Sequence, residues 1–167
     1  MMIRSLILGL ALSLATGAGW AQPAACSSPE HRQFDFWVGR WAVSPAGKPN
    51  VVAESLIERV YGGCGIRENW MPKNHQDGGS LNSYVPVEKA WRQTWIDSSG
   101  ARVEFVGGWN GKAMVLTGAW PDASGKIRTV RMTYTKAADG SVRQFGEASY
   151  DGGRAWTPDF DFIYRPL

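Results

Sequence analysis

Residues 90–140 have the sequence AWRQTWIDSSGARVEFVGGWNGKAMVLTGAWPDASGKIRTVRMTYTKAADG, and this stretch determines the predicted architecture. Short runs rich in Val, Ile, Thr, Trp and Tyr alternate with turn-forming pairs that end in glycine: Ser99-Gly100, Asn110-Gly111, Ser124-Gly125 and Asp139-Gly140. These glycines follow one another at intervals of 11, 14 and 15 residues, which is the length of one strand plus one tight turn. The stretch therefore predicts successive antiparallel hairpins.

The same pattern extends toward both ends of the chain and predicts ten strands, at about residues 40–44, 51–60, 64–71, 79–85, 90–97, 101–109, 112–120, 126–136, 141–150 and 155–165. No interval between strands leaves room for a crossover helix, so the strands should form an up-and-down antiparallel sheet. An open sheet of this size would expose two long edges, and closure removes them. The predicted fold is all-β: a single antiparallel up-and-down β-barrel over residues 39–167.

Helix signals are confined to the segment before the barrel, residues 22–38. Ser28 is placed as an N-cap and Pro29 as the first helical residue. Phe34, Trp37 and Val38 follow at helical spacing. The segment therefore predicts one or two turns of helix whose aromatic side chains pack on the barrel.

The overall composition is that of a globular protein. The chain has 167 residues, 44% of them hydrophobic and 20% charged, which argues against disorder. Its formal net charge is +3 and its basic residues do not cluster, so no nucleic-acid partner is predicted. Nine tryptophans are many for this length, and they fit either a small β-fold core or a pocket lined by indole rings.

Residues 1–21 resemble a secretory signal peptide. Arg4 supplies the positive charge, Ser5 to Ala18 the apolar stretch, and Gly19 and Ala21 the small residues before a cleavage site. The apolar stretch is too short to cross a bilayer, so no integral membrane segment is predicted. We expect a periplasmic or secreted protein that begins at Gln22.

The two cysteines outside this signal, Cys26 and Cys64, are expected to form a disulfide in an oxidising compartment. A reactive thiol is the alternative. It would need a CxxC partner or a neighbouring histidine, and the sequence around each cysteine has neither. Acylation of Cys26 is a weaker alternative, because Pro23-Ala24-Ala25 lacks the aliphatic residue of a lipoprotein signal.

The two ends of the predicted barrel carry a recognisable pair. Gly39-Arg40-Trp41 is a G-x-W at the start of the first strand, and Arg165 lies at the end of the last. This pair resembles the calycin superfamily of lipocalins and fatty-acid-binding proteins, and the resemblance implies that Arg165 stacks over the indole of Trp41. Residues 34–41, FDFWVGRW, also look like those of a family of exported bacterial proteins of unassigned function, which implies a barrel and no activity.

A second motif lies between the last two predicted strands. Ser149, Asp151, Gly153 and Trp156 fit the pattern S-x-D-x-G-x-x-W, which resembles the Asp-box of sialidases and other β-propellers. There the aspartate binds turn amides and the tryptophan packs beneath the turn. Propellers carry several copies and this chain carries one, so the resemblance implies a structural hairpin and no glycosidase.

Alternation along the strands selects the candidate ligand-binding residues. On two strands one face mixes aromatic rings with single carboxylates or amides, as in a lumen with a few hydrogen-bonding groups. The candidates are Glu68, Trp70, Tyr84, Gln93, Trp95, Arg131 and Gln144. Each could instead be an outward-facing polar residue or part of a filled core. A buried Glu68 would need a cation, and Arg131 is the expected partner.

Catalytic and metal-binding patterns are weak. The chain has no G-x-S-x-G, H-x-H or H-E-x-x-H motif, and both His31 and His75 are expected at the surface. Asp159 and Asp161 should share one strand face, each solvated or paired with arginine. No cofactor and no metal are predicted.

Three functions remain open. The first is a barrel that binds a small, partly apolar ligand, and aromatic residues favour it because they outnumber catalytic types. The second is an enzyme that uses Glu68 as general base. The third is a packed barrel that acts through its outer surface on another envelope protein.

Overall fold

The computed structural model describes residues 25–167, so the predicted signal peptide lies outside the described residues. Ten antiparallel strands form a closed barrel: β1 (Gly39–Pro45), β2 (Ala53–Val60), β3 (Gly65–Pro72), β4 (Gly78–Val85), β5 (Ala90–Asp97), β6 (Arg102–Trp109), β7 (Met114–Pro121), β8 (Ile127–Lys136), β9 (Val142–Ser149) and β10 (Thr157–Pro166). Each strand pairs with its neighbours in sequence, and β1 pairs with β10 to close the barrel. The predicted fold class is confirmed.

The segment before β1 closes one end of the barrel. It forms two short 3₁₀ helices, Pro29–Arg32 and Asp35–Trp37, where the sequence predicted one or two helical turns. Phe34 and Trp37 are fully buried, and each packs against the ring of Tyr134. We call this segment, residues 29–38, the plug. Among residues 25–167 no helix is long and apolar enough to cross a lipid bilayer.

A disulfide between Cys26 and Cys64 confirms the predicted pairing. Cys64 follows a third 3₁₀ helix, Tyr61–Gly63, in the connection from β2 to β3. The bridge therefore ties the chain before the plug to the barrel, across a sequence separation of 38 residues.

Arg165 does not stack on Trp41, and here the expectation drawn from the calycin resemblance is wrong. Arg165 lies opposite Ala42 in the β1–β10 ladder, so its side chain projects from the other face of the sheet and is exposed. The indole of Trp41 instead points into the barrel, where its Nε1 donates a hydrogen bond of 2.9 Å to the carbonyl oxygen of Trp37. Trp41 thus joins the plug to β1.

Gly39 has a packing role beside this tryptophan. The two residues are two apart on one strand and share a face. A Cβ at Gly39 would lie 3.1 Å from the six-membered ring of Trp41. The glycine in this G-x-W therefore leaves room for the indole.

Candidate functional site

A cavity of about 420 Å³ lies in the barrel lumen, between the plug and the opposite end of the barrel. Inward-facing residues of β3 and of β5 to β10 line it. Its walls include six aromatic side chains, those of Trp70, Trp95, Phe105, Trp120, Phe160 and Phe162. The Phe160 and Phe162 rings are stacked with centroids 5.5 Å apart, and Trp70 lies 5.8 Å from Phe162. The arrangement gives a broad apolar surface for a small ligand.

Glu68 lies at the floor of the cavity and is only 5% exposed. Ser55 Oγ and Ser80 Oγ each donate a hydrogen bond of 3.1 Å to its carboxylate oxygens. Burial raises the pKa of Glu68 to about 7, although hydrogen bonds from Ser80 and Ser55 act in the opposite direction. The carboxyl group of Glu68 therefore titrates near neutral pH.

Further polar side chains continue from Glu68 around the floor. Asn82 Nδ2 donates to Ser80 Oγ at 3.0 Å, and Gln93 Nε2 donates to Asn82 Oδ1 at 2.7 Å. Together with the bond from Ser80 to Glu68, these contacts connect β3, β4 and β5 through buried hydrogen bonds.

The floor is completed by two tyrosines and a glutamine from β8 to β10. The Tyr164 hydroxyl donates to Gln144 Oε1 at 2.7 Å, and Gln144 Nε2 lies 2.9 Å from the Tyr134 hydroxyl. Burial, followed by the charge of Glu68, raises the pKa of both tyrosines, so they remain neutral donors. The floor is a hydrogen-bonded layer between the plug and the aromatic walls.

Arg131 does not meet Glu68, and that expectation is wrong. Its guanidinium lies on the outside of the barrel, where it bonds Glu147 at 2.9 Å and stacks 4.2 Å over the ring of Trp156. Among the ion pairs formed by residues 25–167, none includes Glu68. The buried carboxylate is surrounded by neutral donors.

Charged groups appear again at the open end of the cavity. Trp95 Nε1 donates to Asp97 Oδ2 at 3.1 Å. Burial would raise the pKa of Asp97, but hydrogen bonds from Ser99 and Trp95 outweigh it and lower that pKa. Asp97 therefore remains a carboxylate at neutral pH.

Arg128 and Asp159 form an ion pair at the same end, with the guanidinium 5.7 Å from the Trp120 ring. The register of β9 against β10 shifts between Pro158 and Phe160, and this irregularity directs Asp159 to the cavity. Asp161 instead pairs with Arg143 at 2.7 Å on the outer face. The expectation that Asp159 and Asp161 share a face is therefore wrong, while each does pair with an arginine.

The seven predicted ligand-binding residues separate into two groups. Five line the cavity together: Glu68, Trp70, Gln93, Trp95 and Gln144. Tyr84 and Arg131 do not. Arg131 is outside, and Tyr84 lies at the plug, with its ring 5.3 Å from His31 and 6.3 Å from Trp91.

His31 departs from its predicted surface position. It is 7% exposed, lies edge-on to Tyr84, and its Nδ1 is 2.9 Å from Ser28 Oγ. His75 is exposed in the connection between β3 and β4. Within the described part of the chain, no three His, Cys, Asp or Glu side chains are grouped as a metal site would require.

Sequence reasoning missed several residues of the cavity, namely Trp120, Arg128, Tyr134, Phe160, Phe162 and Tyr164. A signal for one of them was present in β8. Val130, Met132 and Tyr134 alternate with Thr129, Arg131 and Thr133, and the apolar set faces inward. That phase places Arg131 outside and Tyr134 inside.

No protein-family model matches this sequence, and no curated protein is significantly similar to it. The chemistry of the site therefore rests on its own residues. Its aromatic walls can bind an apolar body, and its floor can donate and accept hydrogen bonds.

Proposed function

We propose that this protein binds a small, partly apolar ligand in the barrel lumen. The observation that carries the proposal is the cavity of about 420 Å³, with indole and phenyl walls above a buried polar floor. A packed barrel that acts through its outer surface would have no use for such a space. Trp70 and Trp95 form apolar walls, and Glu68, Gln93 and Gln144 orient polar groups of the ligand.

The proposal includes the setting in which the protein acts. The disulfide fits an exported chain, and the ten-stranded closed barrel is compatible with a calycin-like protein. N-terminal sequencing of protein recovered from the envelope or medium tests the export part. A mature chain that starts at Gln22 supports it, and retention of Met1 in the cytoplasm contradicts it.

Trp95→Ala tests the binding site with the neutral fluorescent probe N-phenyl-1-naphthylamine. Trp95 lines the cavity and is only half-buried, so its truncation should abolish most probe binding with a modest loss of stability. Ile96→Ala is the matched control, because Ile96 is the next residue on β5 and is 54% exposed on the outer face. Probe titration and urea denaturation are measured on all three proteins.

The opposite result would contradict the assignment of Trp95 to a ligand-binding site. A tryptophan that only fills the core should cost roughly 3–5 kcal/mol when truncated to alanine. If Trp95→Ala loses that much while probe binding per folded molecule is unchanged, the indole is a packing residue and not part of a ligand site.

A second candidate function uses Glu68 as a general base. The observation that favours it is a buried carboxylate with a pKa of about 7, beside the neutral hydroxyls of Tyr164 and Tyr134. Such a group can remove a proton from a bound carbon acid. Exchange of the α-hydrogens of 2-tetralone in D₂O, followed by NMR, should be faster with the wild type than with Glu68→Gln. Equal rates would leave binding as the function.

A further inference from the structure

The charges that face the cavity are unbalanced. Its lining contains three carboxylates, Glu68, Asp97 and Asp159, but one guanidinium, Arg128, which Asp159 already engages. Lys73 lies on an adjoining groove and is exposed. The whole chain nevertheless carries a formal net charge of +3, so the cavity differs in sign from the protein that contains it.

Glu68 is the member of this set that most lacks a counter-charge. It is buried, and its hydrogen-bond donors are the neutral hydroxyls of Ser55 and Ser80, with Tyr164 beside them. A buried carboxylate is costly unless a cation compensates it. Since no side chain among residues 25–167 pairs with it, the charge of Glu68 would be cancelled either by a proton or by the cationic group of a bound molecule.

The walls above Glu68 suit a cation as well as an apolar body. Trp70 and Trp95 face the lumen from β3 and β5, and indole faces attract ammonium groups. An anionic ligand would meet Glu68 at the floor and Asp97 at the open end. The one cation that would attract it within the lining, Arg128, is already paired with Asp159.

We propose that the ligand of this cavity is a cationic amine with an apolar, ring-sized body, whose ammonium group binds the Glu68 carboxylate at the floor. This inference rests on the proposed function, because it specifies the ligand class of the same lumen. The apolar body would lie between the aromatic walls, and the floor hydroxyls would hold the carboxylate in place.

Three probes of one shape and different charge test the inference: 1-naphthylmethylamine, 1-naphthylmethanol and 1-naphthoate. At pH 8 the amine should bind at least about tenfold more tightly than the alcohol, and the carboxylate more weakly than either. Glu68→Gln should remove the preference for the amine, because it lowers the affinity for the amine by more than it changes the affinity for the alcohol. Glu104→Gln, an exposed carboxylate of β6, removes the same charge from the outer face and should keep the preference.

The pH provides a second readout. Tyr134 and Tyr164 are the other titratable groups that face Glu68, and both stay neutral between pH 5.5 and 8 because burial raises their pKa. Lowering the pH to 5.5 should therefore protonate Glu68 and reduce the preference for the amine in the wild type and in Glu104→Gln, but not in Glu68→Gln. Calorimetry in two buffers of different ionisation enthalpy should show proton release on amine binding near pH 7.

The outcomes separate this inference from the proposed function. If no probe binds, the lumen is not a ligand site and both fail. If the alcohol or the carboxylate binds as tightly as the amine, the binding function stands and the cationic class is wrong. If Asp97→Asn removes the preference while Glu68→Gln keeps it, the ammonium does not bind at Glu68.

Discussion

Glu68 differs from the other acidic side chains because of its surroundings. Glu104, Asp122, Asp139 and Asp151 lie at the surface, where hydrogen bonds hold their pKa below the usual range. Glu68 also accepts hydrogen bonds, but loss of hydration dominates and its pKa is raised from 4.5 to about 7. Folding therefore favours the protonated form of this one carboxyl group.

This difference predicts how stability changes with pH. The stabilising contribution of protonated Glu68 is complete below its unfolded pKa of about 4.5 and is lost as pH rises through about 7. The loss is on the order of 3 kcal/mol. Glu68→Gln stays neutral, so its free energy of unfolding should fall less than that of the wild type between pH 5 and pH 8.5. Urea denaturation of both proteins at the two pH values measures this difference in the free energy of unfolding.

Glu104→Gln provides the control for this prediction. Its carboxyl group is exposed and its pKa is lowered, so it titrates below the pH window and should leave the wild-type profile unchanged. Equal pH profiles for the wild type and Glu68→Gln would mean that Glu68 is hydrated or paired with a cation in the folded protein.

Alternation along single strands predicted part of the floor at the residue scale. Glu68 and Gln93 were found because each lies in phase with inward apolar neighbours. Arg131 was misplaced because a partner was sought for Glu68, whereas the phase of β8 already directs Arg131 outward. Asp159 could not be placed from the sequence, because the register shift in β10 interrupts the alternation on which such a prediction depends.

At the level of elements, turn chemistry is the strongest sequence signal in this chain. The turn from β9 to β10 shows why. Ser149 Oγ accepts the amide of Gly153 at 2.8 Å, and Asp151 Oδ1 accepts the amides of Arg154 and Ala155. The indole of Trp156 donates to the Gly153 carbonyl oxygen at 3.0 Å. These contacts are those of a structural hairpin.

Ser149→Ala should lower the free energy of unfolding by about 1–2 kcal/mol, because it leaves the Gly153 amide without its acceptor and removes one of the three donors to Asp151 Oδ1. Ser149 is 2% exposed, so water cannot easily replace the hydroxyl. Arg154→Ala, an exposed change in the same turn, is the control and should be nearly neutral. Thermal unfolding followed by circular dichroism compares the two, and equal losses would show that the Ser149 hydroxyl does not stabilise the turn.

The disulfide ties the segment before the plug to the barrel. Cys64→Ser should lower the free energy of unfolding by about 4 kcal/mol, because the unfolded chain is no longer closed across 38 residues. Cys26→Ser should have the same effect, and the double variant should cost no more than either single one. Denaturation without reductant measures all three. If the losses add, the two cysteines stabilise the protein separately and not as a bridge.

For the whole molecule, closure could be predicted from the sequence, but the contact that secures it could not. Hairpin spacing and the absence of crossovers fix the order of strands, and an open ten-stranded sheet leaves edges that closure removes. Which face of β10 carries Arg165 depends on its register against β1. The length of the strands does not determine that register. In the structure, β1 and β10 pair so that Arg165 lies opposite Ala42 on the outer face.

This geometry gives opposite predictions for the two residues of the calycin-like pair. Arg165→Ala should change the free energy of unfolding by less than about 0.5 kcal/mol, because its exposed side chain does not stack on Trp41. Trp41→Phe should cost about 1–2 kcal/mol, because it removes the donor that binds the Trp37 carbonyl oxygen in the buried junction of plug and barrel. Urea denaturation of both variants measures the difference. A loss on Arg165→Ala as large as that on Trp41→Phe would mean that the cation closes the barrel after all.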